Sequence, residues 1–202
     1  MSALAVEWGA AHRPIETDSD SGERYVVRPF PEGILIAVLD GLGHGREAAG
    51  AVALAAGALE SHAGESPSDL LVRCHAALRR TRGAALSVAS INFLKSTLTW
   101  LGVGNVEGVL LRANRSASRR SESLLLRGGV VGHQLPPPGA AVLPVAVDDT
   151  LIFATDGVAH GFSSGMPVRA TPEATAKWIL TRHGKRTDDA LVVVARCVAS
   201  PT

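Results

Sequence analysis

The sequence predicts an α+β fold, in which a sandwich of mainly antiparallel strands carries helices on its outer faces. Three observations lead to this prediction. Two helix-like segments come early, a series of short β-rich segments with turn residues between them fills the middle, and one further helix precedes the last strand. The 202 residues suffice for a substantial core. We therefore expect residues 1–202 to form a single domain.

The first half of the chain predicts two strands followed by two helices. Residues 25–29 and 34–39 are β-rich, with a turn rich in Pro and Gly between them. The chain then becomes Gly-rich and afterwards helical through about Ser61. Residues 67–81 carry apolar side chains at helical spacing, and Ser66 is placed to cap the start of that helix.

The second half predicts mostly strands. Five β-rich segments follow one another, and we expect them to form an antiparallel meander: 85–93, 97–103, 106–113, 122–127 and 130–134. Residues 150–155 and 191–198 predict two more strands, and residues 172–182 a helix capped by Thr171. The prolines at 136–138 cannot donate ladder hydrogen bonds, so they are expected to lie outside any central strand.

Composition and charge exclude several classes of protein. The 20 Lys+Arg nearly balance the 19 Asp+Glu, which argues against a nucleic-acid-binding protein. Hydrophobic residues make up 46% of the chain, which argues against disorder. No apolar stretch reaches the roughly 20 residues of a membrane-spanning helix, and residues 1–11 do not resemble a signal peptide. We expect a cytoplasmic protein with reduced cysteines, Cys74 serving in the core.

Three aspartates stand beside apolar strands. Asp40 follows residues 34–39, Asp156 follows residues 150–155, and Asp188 shortly precedes residues 191–198. A carboxylate at the end of a buried strand is unfavourable unless a cation compensates it. Asp40 and Asp156 each precede Gly, so each alone also fits an ordinary turn. Together the three favour an oxygen-rich centre for Mg²⁺ or Mn²⁺.

A nucleotide-binding enzyme is an alternative interpretation of the first motif. Residues 43–48 match the pattern G-x-G-x-x-A between a strand and a helix, which is the arrangement of dinucleotide-binding sites. Such a site needs an acidic residue at the end of a second strand about 20 residues further on. Residues 61–67 instead predict a turn into another helix, which disfavours this alternative.

The order of four motifs resembles that of the PPM-type metal-dependent protein serine/threonine phosphatases. These motifs are Asp40-Gly41-Leu42-Gly43-His44-Gly45, Gly102-Val103-Gly104-Asn105, Thr155-Asp156-Gly157 and Asp188-Asp189. The chain is most similar to the small bacterial SpoIIE/RsbU/RsbX branch, over about residues 22–198, and within it to the feedback phosphatases of the stressosome. The resemblance implies a four-layer α-β-β-α sandwich of two mainly antiparallel sheets flanked by helices.

The resemblance also implies a centre for two divalent metal ions, Mn²⁺ or Mg²⁺. Asp40 would bridge both ions, the Gly41 carbonyl would bind the second, and Asp156 and Asp188 would bind the first. Two such ions activate a water for in-line attack on phosphorus, and no nucleophilic Cys or Ser is needed.

Two features depart from the family pattern. Glu23 stands where the branch has an early Asp, and the resemblance implies that it is a further metal ligand, one that reaches a methylene further and could bind through water, with Asp18 and Asp20 as nearby alternative contributors. The Thr that often follows the final acids is missing. The general acid is also open, because Leu42 occupies the position at which larger members have His. His44 could face the site as a catalytic acid or could cap the following helix.

The resemblance implies substrates and partners as well. We expect a phosphatase, with no separate sensor region, that acts on phosphoserine or phosphothreonine of STAS-domain proteins in a stressosome-like complex and resets a stress response. A monomer without nucleic-acid or membrane partners is the simplest expectation. The departures also motivate an alternative, a pseudophosphatase that binds a partner without hydrolysis.

A loop rich in arginine is a candidate docking site. Arg112, Arg115, Arg119 and Arg120 lie among Ser and Asn in the predicted hairpin. They fit either a solvated hairpin tip or a surface that binds an acidic or phosphorylated partner.

Overall fold

The computed structural model describes residues 4–14, 21–113, 120–166 and 170–200, which form two face-to-face β-sheets between two helical layers. In spatial order, one sheet contains β1 (Leu4–Arg13), β11 (Ala190–Ala199), β10 (Thr150–Ala154), β6 (Glu107–Leu111) and β7 (Ser121–Ser123). The other contains β2 (Glu23–Phe30), β3 (Gly33–Gly41), β4 (Ala84–Asn92), β5 (Thr97–Val103) and β8 (Leu126–Arg127), and β9 (Ala141–Pro144) also pairs with β5. The helices are α1 (Arg46–Ser61), α2 (Pro67–Leu78) and α3 (Pro172–His183).

The four-layer α-β-β-α prediction is confirmed. Helices α1 and α2 cover the outer face of the sheet that contains β3, and α3 covers the outer face of the other sheet. Strand β3 is buried on both faces, since Leu35 and Leu39 pack towards the helices whereas Ile36 and Val38 pack between the sheets. This explains its unbroken apolar sequence. In the described part of the chain, no helix is long and apolar enough to cross a membrane.

The predicted helix starts are confirmed. The Ser66 hydroxyl accepts a hydrogen bond from the Asp69 backbone N–H at 3.2 Å, and Thr171 accepts one from Ala174 at 3.2 Å. A proline occupies the first turn of both α2 and α3. Backbone N–H groups in the first turn of a helix have no acceptor within the helix, so proline, which lacks an N–H, loses no hydrogen bond there.

The prediction of one continuous meander is wrong. Strands β4 and β5 pair antiparallel, but the chain then crosses to the other sheet as β6, and residues 122–127 divide between β7 and β8 in different sheets. Strand β8 runs parallel to β5, and residues 130–134 form only isolated bridges. The crossing follows Gly104, whose φ of 96° turns the chain sharply. Short alternating patterns predict a strand but not the sheet it joins.

Two strands have no counterpart in the sequence prediction. Strand β1 is rich in Ala and contains charged residues, and it forms through ten paired positions with β11. Gly9 in β1 lies directly under Glu173, and a side chain there would clash with the start of α3. Strand β9 is an exposed edge strand after the prolines, which lie outside the strands as predicted.

Arg112 links three segments beyond the end of β6. Its guanidinium donates to the Asp149 carboxylate at 2.9 Å, to the Glu122 carboxylate at 2.9 Å and to the Pro144 carbonyl at 2.6 Å. Asp149 is only 3% exposed and also accepts the backbone N–H of Ala113. The charge of Arg112 is therefore neutralised within the fold.

The substitution Arg112→Ala should destabilise the protein, because it leaves the buried Asp149 carboxylate without its cation. We expect a loss of about 3 kcal/mol in the free energy of unfolding, measured by urea titration. Arg24→Ala on the exposed face of β2 is the control and should change this free energy by less than about 0.5 kcal/mol. A loss below about 1 kcal/mol for Arg112→Ala would show that the ion pair contributes little.

Candidate metal centre

The three aspartates meet at one end of the sandwich. Asp40 lies near the end of β3, Asp156 shortly follows β10, and Asp188 shortly precedes β11. Strands β10 and β11 are antiparallel neighbours, so the end of one lies beside the start of the other. All three aspartates line one cavity of about 370 Å³, here called the Asp40 cavity.

The chain between β3 and α1 forms another wall of this cavity, contributed by Gly41, Leu42, Gly43 and His44. The Gly41 N–H donates to the Gly22 carbonyl at 2.8 Å, which holds the end of β3 in place. Gly43 has a φ of 88°, a conformation that favours glycine. This backbone folds tightly enough to bring Leu42 and His44 to the rim.

The carboxylates of this site repel one another. Burial, and after it the negative charges of Asp156, Glu23 and Asp188, together raise the pKa of Asp40 to about 7. Oxygen donors and concentrated negative charge fit Mg²⁺ or Mn²⁺. As they stand, no three His, Cys, Asp or Glu side chains of the described segments converge closely enough to hold an ion.

Two residues hold Asp156 in place, and the sequence prediction gave neither a role. The Asn105 side-chain amide donates to the Asp156 carboxylate at 2.7 Å, and the Lys185 ammonium donates to the Asp156 backbone carbonyl at 2.6 Å. Gly157 packs so closely on the Asp189 carbonyl that any side chain there would clash with it. Asn105 stands within a quoted motif and could have been found from it, whereas Lys185 carries no signal in the sequence.

Glu23 lies beside the centre and also lines a second cavity. It pairs directly opposite Asp40 in the register of β2 and β3. Its side chain is 3% exposed, and its Oε2 lies 3.2 Å from Nε2 of His12. The alternative contributors Asp18 and Asp20 lie outside the described residues.

The structure separates the alternatives for several other residues. His44 lines the Asp40 cavity, whereas the cap of α1 is Gly45 without a side-chain hydrogen bond, so the capping interpretation of His44 is wrong. Cys74 is buried, and burial raises the pKa of its thiol to about 12, as suits a core residue.

In the arginine loop, Arg120 is exposed, and the Arg112 guanidinium is held by carboxylates. Arg115 and Arg119 lie outside the described residues.

Comparison with known proteins gives one family and a consistent fold. The family described as stage II sporulation protein E (SpoIIE) matches residues 31–198. The phosphoserine phosphatase RsbX of Bacillus subtilis (strain 168) is 33% identical over 95 residues, or 47% of this chain and 48% of RsbX. The match thus spans about half the length of that relative.

Solved structures share the fold over nearly the whole chain. A structure of RsbX in complex with magnesium has a TM-score of 0.84 at 22% identity and covers 98% of this chain and 100% of that one. A structure from the bacterial stressosome, a modular system adapted to control secondary messenger signalling, has a TM-score of 0.85 at 28% identity, with 95% and 100% covered. These matches confirm the predicted phosphatase-like sandwich.

The substitution Asp40→Asn should stabilise the metal-free protein, because it removes one of the repelling charges. At pH 8 with EDTA we expect a melting temperature about 3–6 °C higher, for a gain of roughly 1–2 kcal/mol. Asp148→Asn, at an exposed position with a φ of 70° that Asn also adopts, is the matched control and should change little. An unchanged or lower melting temperature for Asp40→Asn would contradict the repulsion.

Proposed function

Since the chain belongs to the SpoIIE family of PP2C-type phosphatase domains, we propose that it is a metal-dependent phosphatase that hydrolyses phosphoserine or phosphothreonine in proteins. The observation that carries this proposal is the meeting of Asp40, Asp156 and Asp188 around one cavity. The likeness to RsbX supports it, since RsbX of Bacillus subtilis is named a phosphoserine phosphatase and an RsbX structure contains magnesium.

The metal ligands in this proposal are Asp40, Asp156, Asp188 and the carbonyl of Gly41, which hold two ions of Mn²⁺ or Mg²⁺. Asp40, at the end of β3, would be a ligand of both ions, and Asp156 and Asp188 would reach the site from the other sheet. Glu23, directly opposite Asp40 in the register of β2 and β3, would be a further ligand, and its charge acts on Asp40. When bound, the ions supply Lewis-acid charge and an activated water for attack on phosphorus.

The residues of the chain orient these groups. Asn105 fixes the rotation of the Asp156 carboxylate through its hydrogen bond, and Lys185 fixes the backbone of the same residue. The substrate phosphate enters the Asp40 cavity beneath the rim formed by Leu42 and His44. An imidazolium N–H of His44 then donates a proton to the departing serine or threonine oxygen, which is a poor leaving group as an anion.

The partners in this proposal are phosphorylated STAS-domain proteins of a stressosome-like complex. Support comes from the structure at 28% identity that belongs to the bacterial stressosome and from the match to RsbX. The enzyme would work in the cytoplasm as a monomer that visits the complex and resets it after stress. The exposed Arg120 remains a candidate contact for such a partner.

Removal of the charge of Asp40 or of Asp156 tests the proposed phosphatase activity directly. Asp40→Asn and Asp156→Asn should each lower Mn²⁺-dependent hydrolysis of p-nitrophenyl phosphate at least about 1,000-fold, because each removes a charged ligand. Asp148→Asn is the control and should keep full activity, and circular dichroism checks folding. Wild-type activity in both cavity variants would overturn the two-metal centre.

The pseudophosphatase alternative predicts a different result for the wild-type chain. If the chain is a metal-dependent phosphatase, calorimetric titration with Mn²⁺ should show binding that EDTA reverses and that Asp156→Asn weakens. Absence of Mn²⁺ binding at millimolar concentration, together with absence of hydrolysis, would favour the binding module instead.

The proton donor can be tested through the leaving group. His44→Gln should lower kcat for a phosphoserine peptide by about 100-fold, within the usual range for a general acid. The same variant should change hydrolysis of p-nitrophenyl phosphate much less, because p-nitrophenolate leaves without a proton. Equal losses with both substrates would assign His44 to phosphate binding rather than to proton transfer.

The proposed partner requires a test with protein substrates. A STAS-domain protein phosphorylated on serine should release phosphate when Mn²⁺ and the enzyme are both present. An unrelated phosphoserine protein serves as the control and should react more slowly by at least about tenfold, which corresponds to 1.4 kcal/mol of discrimination. Equal rates with both proteins would contradict the STAS assignment.

A further inference from the structure

A groove between α1 and the segment that follows α2 adjoins the candidate metal centre. It has a volume of about 580 Å³, and its walls come from the first half of α1 and from residues 80–82. We call it the Arg82 groove. Its residues are distinct from those that line the Asp40 cavity, and they include Arg46, Glu47, Gly50, Leu54, Arg80 and Arg82.

Arg82 places this groove at the edge of the Asp40 cavity. A Cβ at Gly43, which lines that cavity, would stand 2.7 Å from Nη1 of Arg82. The Leu42 N–H donates to the Gly83 carbonyl at 3.0 Å, which fixes the backbone after Arg82 to the rim. A polypeptide segment whose phosphate enters the Asp40 cavity can therefore continue across Gly43 into the groove.

The groove is positively charged, and its cations are accessible. Arg46, Arg80 and Arg82 face a single carboxylate in the lining, that of Glu47. Nε of Arg82 lies 2.5 Å from Oε2 of Glu47, but these side chains are 56% and 69% exposed, so the ion pair is weak. Within the described segments, Arg46 and Arg80 are exposed and have no ion-pair partner. The groove therefore attracts a ligand that carries more than one negative charge.

The surface of α1 inside the groove is open and partly apolar. A Cβ at Gly50 would meet no heavy atom within 4 Å, so nothing obstructs a segment that lies over this position. Leu54, about one turn further along α1, is 53% exposed. An apolar side chain beside arginines fits an acidic peptide better than a nucleic acid. The near-neutral charge of the whole chain also disfavours a nucleic acid.

We propose that the Arg82 groove binds an acidic segment of the phosphoprotein substrate, next to the phosphorylated residue. Carboxylates of this segment pair with Arg46, Arg80 and Arg82, and an apolar side chain of the segment covers Leu54. Arginine suits this role, because its guanidinium presents a planar fork of donors that matches a carboxylate. The identification of the ligand as part of a substrate rests on the proposed function, whereas binding of an acidic segment does not.

Binding is tested on wild-type protein stripped of metal, independently of activity. The probe is a fluorescein-labelled peptide of three aspartates followed by a leucine, and the comparison peptide has asparagines in place of the aspartates. By fluorescence anisotropy, the aspartate peptide should bind at least about tenfold more tightly at low salt, because only its side chains are charged. About 0.5 M NaCl should remove most of this difference, since the arginines are exposed.

Two variants of α1 locate the binding site. Gly50→Glu adds a carboxylate inside the groove and should abolish the preference for the aspartate peptide. Gly57→Glu is the matched control and should retain the preference, because Gly57 is also exposed and unobstructed on α1 but does not line the groove. Both variants replace a helical glycine with a better helix former, so both should fold.

Three results of these titrations would overturn the proposal. One is equal or undetectable binding of the two peptides to the wild-type protein. Another is an equal loss of binding in Gly50→Glu and Gly57→Glu, which would mean that the peptide binds outside the groove. The third is displacement of the labelled peptide by an oligothymidylate at lower concentration than by the unlabelled peptide, which would assign the groove to nucleic acid.

The substrate role is tested with matched phosphoserine peptides in the presence of Mn²⁺. The peptides carry three aspartates or three asparagines directly before or directly after the phosphoserine and are compared by kcat/KM. We expect about a tenfold preference for aspartates on one side of the phosphoserine. Arg80→Gln should lose most of this preference, and Arg79→Gln, at an adjacent exposed position outside the groove, should retain it. Hydrolysis of p-nitrophenyl phosphate, which does not extend into the groove, should be equal in both variants and the wild type.

The outcomes separate this proposal from the proposed function. Hydrolysis of all peptides without any preference for aspartate would overturn the Arg82 groove as a substrate site and leave the phosphatase intact. Binding of the aspartate peptide without hydrolysis of any phosphoserine peptide would overturn the phosphatase, and with it the substrate role of the groove.

Discussion

Repulsion among carboxylates at one end of the sandwich is the constraint on which the rest of the site depends. Asp40, Asp156 and Asp188 come from both sheets, and their charges, together with burial, raise the pKa of Asp40. The fold holds this arrangement because two apolar sheets and three helices bury enough surface to offset it. The same repulsion favours divalent cations, so what destabilises the metal-free fold prepares it to bind metal.

Close backbone packing holds the charged groups where side-chain interactions alone would not. Gly41 binds the backbone of Gly22, and Gly157 packs against Asp189, so the segments that carry the carboxylates are fixed by main-chain contacts. Hydrogen bonds from Asn105 then restrict the direction of one carboxylate. Lys185 adds a cation beside the site, but its ammonium holds the backbone carbonyl of Asp156 and not a carboxylate.

Local physical chemistry explains which features the sequence predicts. Helix caps such as Ser66 depend on neighbouring residues, and the strand before Asp40 is recognisable because both of its faces are buried. Strand β1 was missed because its stability comes from pairing with β11, not from its own Ala-rich sequence. The second cavity, which Glu23 lines, was equally hidden, since its walls come from β1 and β2, which belong to different sheets.

The pairing of β1 with β11 also bears on the order of events during synthesis. Leu4 pairs with Ala199, so β1 cannot complete its sheet before the distant strand β11 has been synthesised. Contacts between such distant segments form slowly and leave strand edges exposed in the meantime. Asp188 precedes the same late strand. The cavity that Asp40, Asp156 and Asp188 share therefore cannot form until the segment that carries Asp188 and β11 has left the ribosome.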